Sequence, residues 1–195
     1  METPPRHYVA LAFLPVVLAA VTLAALYIYQ RGAEERRDRW QQPEAILDAI
    51  GVHPGMRVAE WHPSDTYFLE RLERRVGTDG SVYAVGPSSR VAQAIERNAP
   101  RVAVVSELPS DLDALLDSHV SAAEQEVLQV EKELGEAGQR LASGARVGFI
   151  GVRGDRLDRI IGPGELIEAA TGQDFRLVRK EDFLDRQFLL VLEKE

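Results

Sequence analysis

Three side chains able to carry acid–base or metal chemistry fall within six positions, in Glu60-Trp61-His62-Pro63-Ser64-Asp65. A carboxylate accepts a proton, an imidazole near its ordinary pKa takes or gives one, and both ligate metals. The spacing of Glu60, His62 and Asp65 matches no recognised ligand motif, and His62 precedes a proline. A solvated turn is therefore the default, and no metal is expected. A second group is Asp117-Ser118-His119. His119 there has the near-neutral pKa of a general base. The same stretch also suits a helix start, with Ser118 or Ser121 as cap and Glu124 in the first turn, and this reading is favoured. Trp40 and Trp61 could stack on a ligand, although a buried aromatic is the commoner use.

The elements that must position these residues begin with Met56–Val76. An apolar strand (Arg57 to Trp61) leads into a tight turn (His62 to Asp65). An amphipathic helix follows from Thr66, with Phe68, Leu69, Leu72 and Val76 at helical spacing. Strand, turn and helix at the front of an alternating pattern is where nucleotide-binding folds place their ligand. Such turns usually carry glycines, because a side chain would block the backbone's approach. This one has none.

Further strands are expected at Ser81–Val85, Arg101–Val105, Leu112–Leu116, Arg146–Val152, Phe175–Arg179 and Gln187–Leu192, the last two as an antiparallel pair. Helices are expected at Pro43–Ile50, ended by Gly51, and at Ser88–Asn98, Ser121–Leu141 and Glu165–Thr171. The helix from Ser121 carries Val127, Val130, Leu134 and Leu141 on one face, and the turn at Ser143-Gly144 follows it. The alternation implies an α/β fold, Rossmann-like and doubly wound, with a largely parallel sheet.

Ahead of this body, Val9–Tyr29 is an uncharged run of 21 residues. As a helix it spans about 31 Å, close to the hydrocarbon thickness of a bilayer. Tyr8, Tyr27 and Tyr29 lie near its ends, and Pro15 is tolerable in a membrane helix. The alternative is a cleaved signal peptide, for which Val17-Leu18-Ala19 is a weak cleavage pattern. The run is long for that, so one transmembrane helix is expected. Only Arg6 precedes it, whereas Arg31, Arg36, Arg37 and Arg39 follow closely. This favours a cytoplasmic soluble domain; the alternative is a signal anchor that exports it. The organisation read this way is a tail (1–8), a transmembrane helix (9–29), a juxtamembrane linker helix (30–42) and a domain (43–195).

The chain has 195 residues, a net charge of −8 and no cysteine. The length allows one sizeable domain plus an appendage. The charge argues against a nucleic-acid backbone as partner. Disulfides, thiolate metal sites and cysteine nucleophiles are excluded.

Several short motifs, in order, resemble one family. They are Arg37-Asp38-Arg39-Trp40-Gln41-Gln42-Pro43, then Gly51-Val52-His53-Pro54-Gly55-Met56-Arg57-Val58, then Val76 to Val85 (Val-Gly-x-x-Gly-x-Val-Tyr-Ala-Val). The tail Phe175-Arg176-Leu177-Val178, Asp182-Phe183-Leu184 and Gln187-Phe188 completes the set. From about Arg36 to Glu195 the chain resembles the class I S-adenosylmethionine (SAM)-dependent methyltransferases, most closely small bacterial members with this Arg-x-x-Trp-Gln-x-Pro lead-in. The resemblance implies a seven-stranded sheet with a reversed last strand, and SAM as cofactor. It places Glu60, His62, Ser64, Asp65, Gly86 and Glu107 at the family's pocket, and Asp117 or His119 toward substrate. Two departures fall on that pocket. Trp61 to Thr66 replaces the family's glycine-rich turn, and Gly86 stands where the family has an acid that grips the ribose hydroxyls.

The expected function is therefore a membrane-anchored, methyltransferase-like binding or assembly module that has lost ordinary SAM binding. Its partner would be another protein or a small molecule. The alternative is an active methyltransferase with a divergent loop, transferring the sulfonium methyl by in-line attack. A third reading is a pocket retuned to another small ligand or a lipid headgroup.

Overall fold

A computed structural model describes residues 6–120, 127–152, 162–184 and 187–195, without the side chains of 6–16, 30, 119–120, 127–129 and 152. The chain divides into two compact units, Met1–Trp40 and Gln41–Glu195.

The described residues of the first unit belong to helix α1, Arg6–Gln41. The expected span Val9–Tyr29 and the expected linker helix are one continuous element, so the division at residue 30 is not a structural boundary. Arg31 and Glu35 pair at 3.4 Å one turn apart, and Arg39 Nε bonds the Glu35 carbonyl, which carries the helix through the polar stretch. Its described apolar residues Val17, Leu18, Val21, Leu23, Leu26 and Ile28 are exposed. Among the described residues, no helix is long and apolar enough to cross a membrane. Side chains are described for only the Val17–Tyr29 part of the expected span.

In the second unit, Gln42 is left-handed (φ 46°), and Pro43 opens helix α2, Pro43–Ile50. Strands β1 (Arg57–Trp61), β2 (Ser81–Val85) and β3 (Ala103–Val105) alternate with helices α3 (Tyr67–Val76) and α4 (Ser89–Asn98). Strand β4 (Leu112–Val120), helix α5 (Val127–Arg140), strand β5 (Leu141–Val152) and helix α6 (Pro163–Thr171) follow. Strands β6 (Phe175–Glu181) and β7 (Gln187–Lys194) close the chain. The sheet has seven strands in the order β3-β2-β1-β4-β5-β7-β6. All pairings from β3 to β5 are parallel, and β7 runs antiparallel to both β5 and β6. This is the expected sheet with its reversed last strand.

Strand residues alternate between two cores, as a sheet covered on both faces requires. Val58, Ala114, Leu116, Leu189 and Val191 pack with α2, α3 and α4. Ala59, Trp61, Leu115, Phe149, Leu190 and Leu192 pack with α5 and α6.

Several expected boundaries move, and three of the shifts bear on the site and on β5. Strand β4 runs four residues past Leu116, because Asp117 pairs in register with both Trp61 and Phe149, and Val120 with Gly151. Ser118 is therefore a strand residue and not a helix cap; Ser121 and Glu124 lie outside the described residues. Helix α5 ends at Arg140, since Leu141 already pairs with Leu112 as the first residue of β5. The turn at Ser143-Gly144 lies inside β5 as an irregularity, where Leu112/Ala114 oppose Leu141/Arg146.

The glycine motif at Val76–Val85 serves this frame. A Cβ on Gly80 would lie 2.6 Å from Val76 Cβ and 2.7 Å from the Met56 carbonyl oxygen. Only a glycine lets the start of β2 pass that close to the end of α3.

Candidate functional site

Strand order reverses between β1 and β4, so the carboxyl ends of these two strands flank the switch point where open α/β sheets bind ligands. Of the residues singled out in the sequence, Glu60, Trp61, His62 and Asp117 lie at these two strand ends, but they face different ways.

Glu60 is buried (2% exposed) near the end of β1, and Ser118 Oγ donates to its Oε1 at 2.5 Å. Both sit on the strand face that carries Val58 and Leu116, the face toward α2 and α3. Trp61 and Asp117 are register partners on the opposite face, both buried. Trp61 is part of the α5-side core, the commoner of the two uses expected for it. Trp40 is 42% exposed.

The chain then turns sharply. His62 takes φ 45°, uncommon for a residue with a Cβ, while its N–H bonds the Val85 carbonyl at 2.9 Å. Its ring stacks beside the Trp61 ring, with centroids 5.9 Å apart and planes at 15°. Its Nε2 lies 3.7 Å from Glu133 Oε1 of α5; the Glu133 side chain is 8% exposed, the His62 side chain 51%. The other edge of the ring stands against Gly86. A Cβ built on Gly86 would lie 3.0 Å from His62 Nδ1 and 3.1 Å from Cε1. Gly86 itself has φ 63°, and its N–H bonds the Val105 carbonyl at 2.9 Å. The loops after β1 and β2 therefore close on each other through an imidazole.

Asp65 turns back to the chain: its Oδ1 accepts the Tyr67 N–H at 2.9 Å, so one donor of the α3 N-terminus is satisfied within the chain. Thr66 Oγ1 donates to Glu70 Oε1 at 2.6 Å. Arg71 lies over the Tyr67 ring at 3.7 Å and donates to the Tyr67 carbonyl, so the first turn of α3 is fastened by its own side chains. Ser64 is exposed. Glu107 is also exposed and pairs with Arg140 at 3.7 Å. The side chain of His119 lies outside the described residues. Among the described residues, no group of three or more His, Asp or Glu could hold a metal ion.

Two residues of the site were not foreseen, Ser118 as the partner of Glu60 and Glu133 as the partner of His62. Glu133 had a signal. It falls among Val130, Leu134 and Ala137 on the buried stripe of α5, an unusual place for a carboxylate.

No family model matches the chain, and no curated protein matches it. Solved structures do. TrmN from Thermus thermophilus matches with a TM-score of 0.64 at 19% identity, covering 78% of this chain and 48% of that one. A SAM-dependent methyltransferase from Aquifex aeolicus matches at 0.63 and 19%, covering 77% and 88%. The N-methyltransferase NodS from Bradyrhizobium japonicum matches at 0.62 and 15%, covering 82% and 97%.

The chain has the methyltransferase fold.

Its structural neighbours are class I SAM-dependent methyltransferases, and identities of this size carry the fold alone. The chain spans about half the length of TrmN. Within the methyltransferase fold, the ends of β1 and β2 are the positions that the sequence resemblance marks for the cofactor. Here they hold Glu60, His62 and Gly86.

Proposed function

We propose that this chain is a membrane-anchored protein of methyltransferase fold whose cofactor positions are taken by its own side chains, so that it works as a binding or assembly module. The observation that carries this reading is the His62 ring standing against Gly86. SAM does not fit the residues present. The ribose-gripping acid is replaced by a glycine, the space beside that glycine holds an imidazole, and Asp65 takes a backbone donor of the α3 N-terminus. Loss of a hydrogen bond to a charged group alone costs about 1.5–3 kcal/mol, or roughly ten- to a hundredfold in affinity. Calorimetric titration of the full chain, in mild detergent, with SAM and with its demethylated product tests the proposal. No heat of binding is expected at millimolar ligand from protein whose circular dichroism is that of a folded α/β domain. Micromolar binding would overturn it.

The anchor rests on the uncharged run Val9–Tyr29 and on the exposure of its described apolar side chains. The arginines after it support a cytoplasmic domain, with export as the alternative. A reporter fused after Glu195 should report the cytoplasm; an exported signal would refute that charge argument.

An active methyltransferase with a divergent loop is the second reading. The burial of Glu60 and Asp117 on adjacent strands at the switch point favours it, since desolvated acids at such a place suit substrate or cofactor contact.

A further inference from the structure

Resting on the reading above, we propose that the His62 imidazole is a built-in plug of the β1/β2 crevice, and that His62 and Gly86 form a coupled pair: the ring holds the place that a side chain at position 86 would claim.

Three constraints converge on the ring. Its backbone is fixed by the His62 N–H to Val85 carbonyl bond at 2.9 Å, which extends the β1–β2 ladder by one residue. Its plane is set by the stack on Trp61, itself 3% exposed. Its far nitrogen faces Glu133 at 3.7 Å from the buried side of α5. The stack and the facing carboxylate bias the ring toward this position, although its side chain is 51% exposed. Its near edge leaves a Cβ at position 86 only 3.0–3.1 Å from Nδ1 and Cε1, tighter than ordinary van der Waals contact. Gly86 is thus required twice, by its φ of 63° and by the ring. The missing ribose acid and the missing glycine turn are then one change and not two. With an imidazole against the end of β2, an acid at position 86 requires the ring to give way, so the two compete for one place.

The plug is removable, because the φ of 45° at His62 suits a glycine better than a histidine. His62→Gly is expected to fold, and it deletes only the ring. Two measurements on the full chain test the coupling. The first uses no ligand. Gly86→Ala should lower the Tm of the wild type by several degrees, from backbone strain and ring contact together. In the His62→Gly background it should lower the Tm clearly less, since only the strain remains. Equal losses in both backgrounds would mean that the ring and position 86 are independent, and would overturn the proposal. The second is calorimetric titration with SAM of the wild type, His62→Gly and His62→Gly/Gly86→Asp. The double variant should gain at least tenfold in affinity over the wild type. A folded double variant that binds no more tightly would overturn the plug and leave the proposed function standing. A wild type that binds SAM at micromolar strength would overturn the proposed function instead. The plug would then survive only if His62→Gly bound at least tenfold more tightly still.

Discussion

Trp61 decides whether the end of β1 is core or ligand platform, and its replacement by alanine separates the two. The side chain is 3% exposed, packs with the α5-side core and stacks on His62. Truncating a buried tryptophan to alanine costs about 3–5 kcal/mol, combining the transfer of the lost ring with the cavity it leaves. Total stabilities of domains run to about 5–15 kcal/mol, so Trp61→Ala should bring the second unit close to its limit. For a domain of this size each kcal/mol moves the Tm by about 2–4 °C, so a drop of roughly 6–20 °C is expected. Urea and thermal melts followed by far-ultraviolet circular dichroism on the full chain measure it. Trp40→Ala is the internal control: Trp40 is 42% exposed, and its loss should stay within about 0.5 kcal/mol. A Trp61→Ala loss below about 1 kcal/mol would refute the assignment of this ring to the core. It would return Trp61 to the candidates for ligand stacking.

Other expectations follow from the packing around the site. A Cβ on Gly148 would run into Ile50 Cδ1, so Gly148→Ala should cost about 1–3 kcal/mol by overpacking α2 against β5. Ile50→Val removes that methyl at a cost of about 0.5–1.5 kcal/mol alone, and the double variant should lose less than the sum; strict additivity in urea melts would contradict the docking of α2 on β5. Arg75 of α3 reaches Asp48 and Glu44 of α2 at 2.6 Å each, and its pKa is raised, first by the hydrogen bond to Asp48 and then by that to Glu44. A raised folded pKa gives stability that is complete below the ordinary arginine value and is lost only as pH rises through the folded one. Arg75→Gln should therefore cost about 0.5–1 kcal/mol, less at 1 M salt, with no pH dependence from Arg75 itself across the neutral range. A loss that grew with salt would count against the ion pair as its origin.

Much of the frame was legible in the sequence, for local reasons. Alternating apolar strands and amphipathic helices specify an α/β sandwich, and each strand from β1 to β7 falls where its apolar run does. The motifs of the family resemblance are frame residues too. Gly80 allows a close approach, and Pro43 and Gly51 bound α2. Boundaries failed where a partner strand outweighed local composition. Asp117-Ser118 is polar and has the look of a cap, yet its neighbours Trp61 and Phe149 extend the ladder through it. The polar stretch Gly32–Trp40 continues α1, where the Arg31–Glu35 ion pair and the Arg39 bond to the Glu35 carbonyl support a helix that hydropathy would divide.

The sequence by itself determined the order of elements, the antiparallel final pair, the uncharged N-terminal run and the absence of glycine from the turn after β1. These depend on residue type and on spacing of a few positions, which the chain states directly. Only the tertiary structure decided what stands in their place. Glu60 meets Ser118, 58 positions away, and His62 meets Gly86 and Glu133 across three separate elements. Such contacts follow from the register of β1 against β2 and β4 and from the seating of α5 on the sheet. No periodicity along the chain encodes those distances, so the approach of the His62 imidazole to Gly86 becomes visible only once the chain is folded.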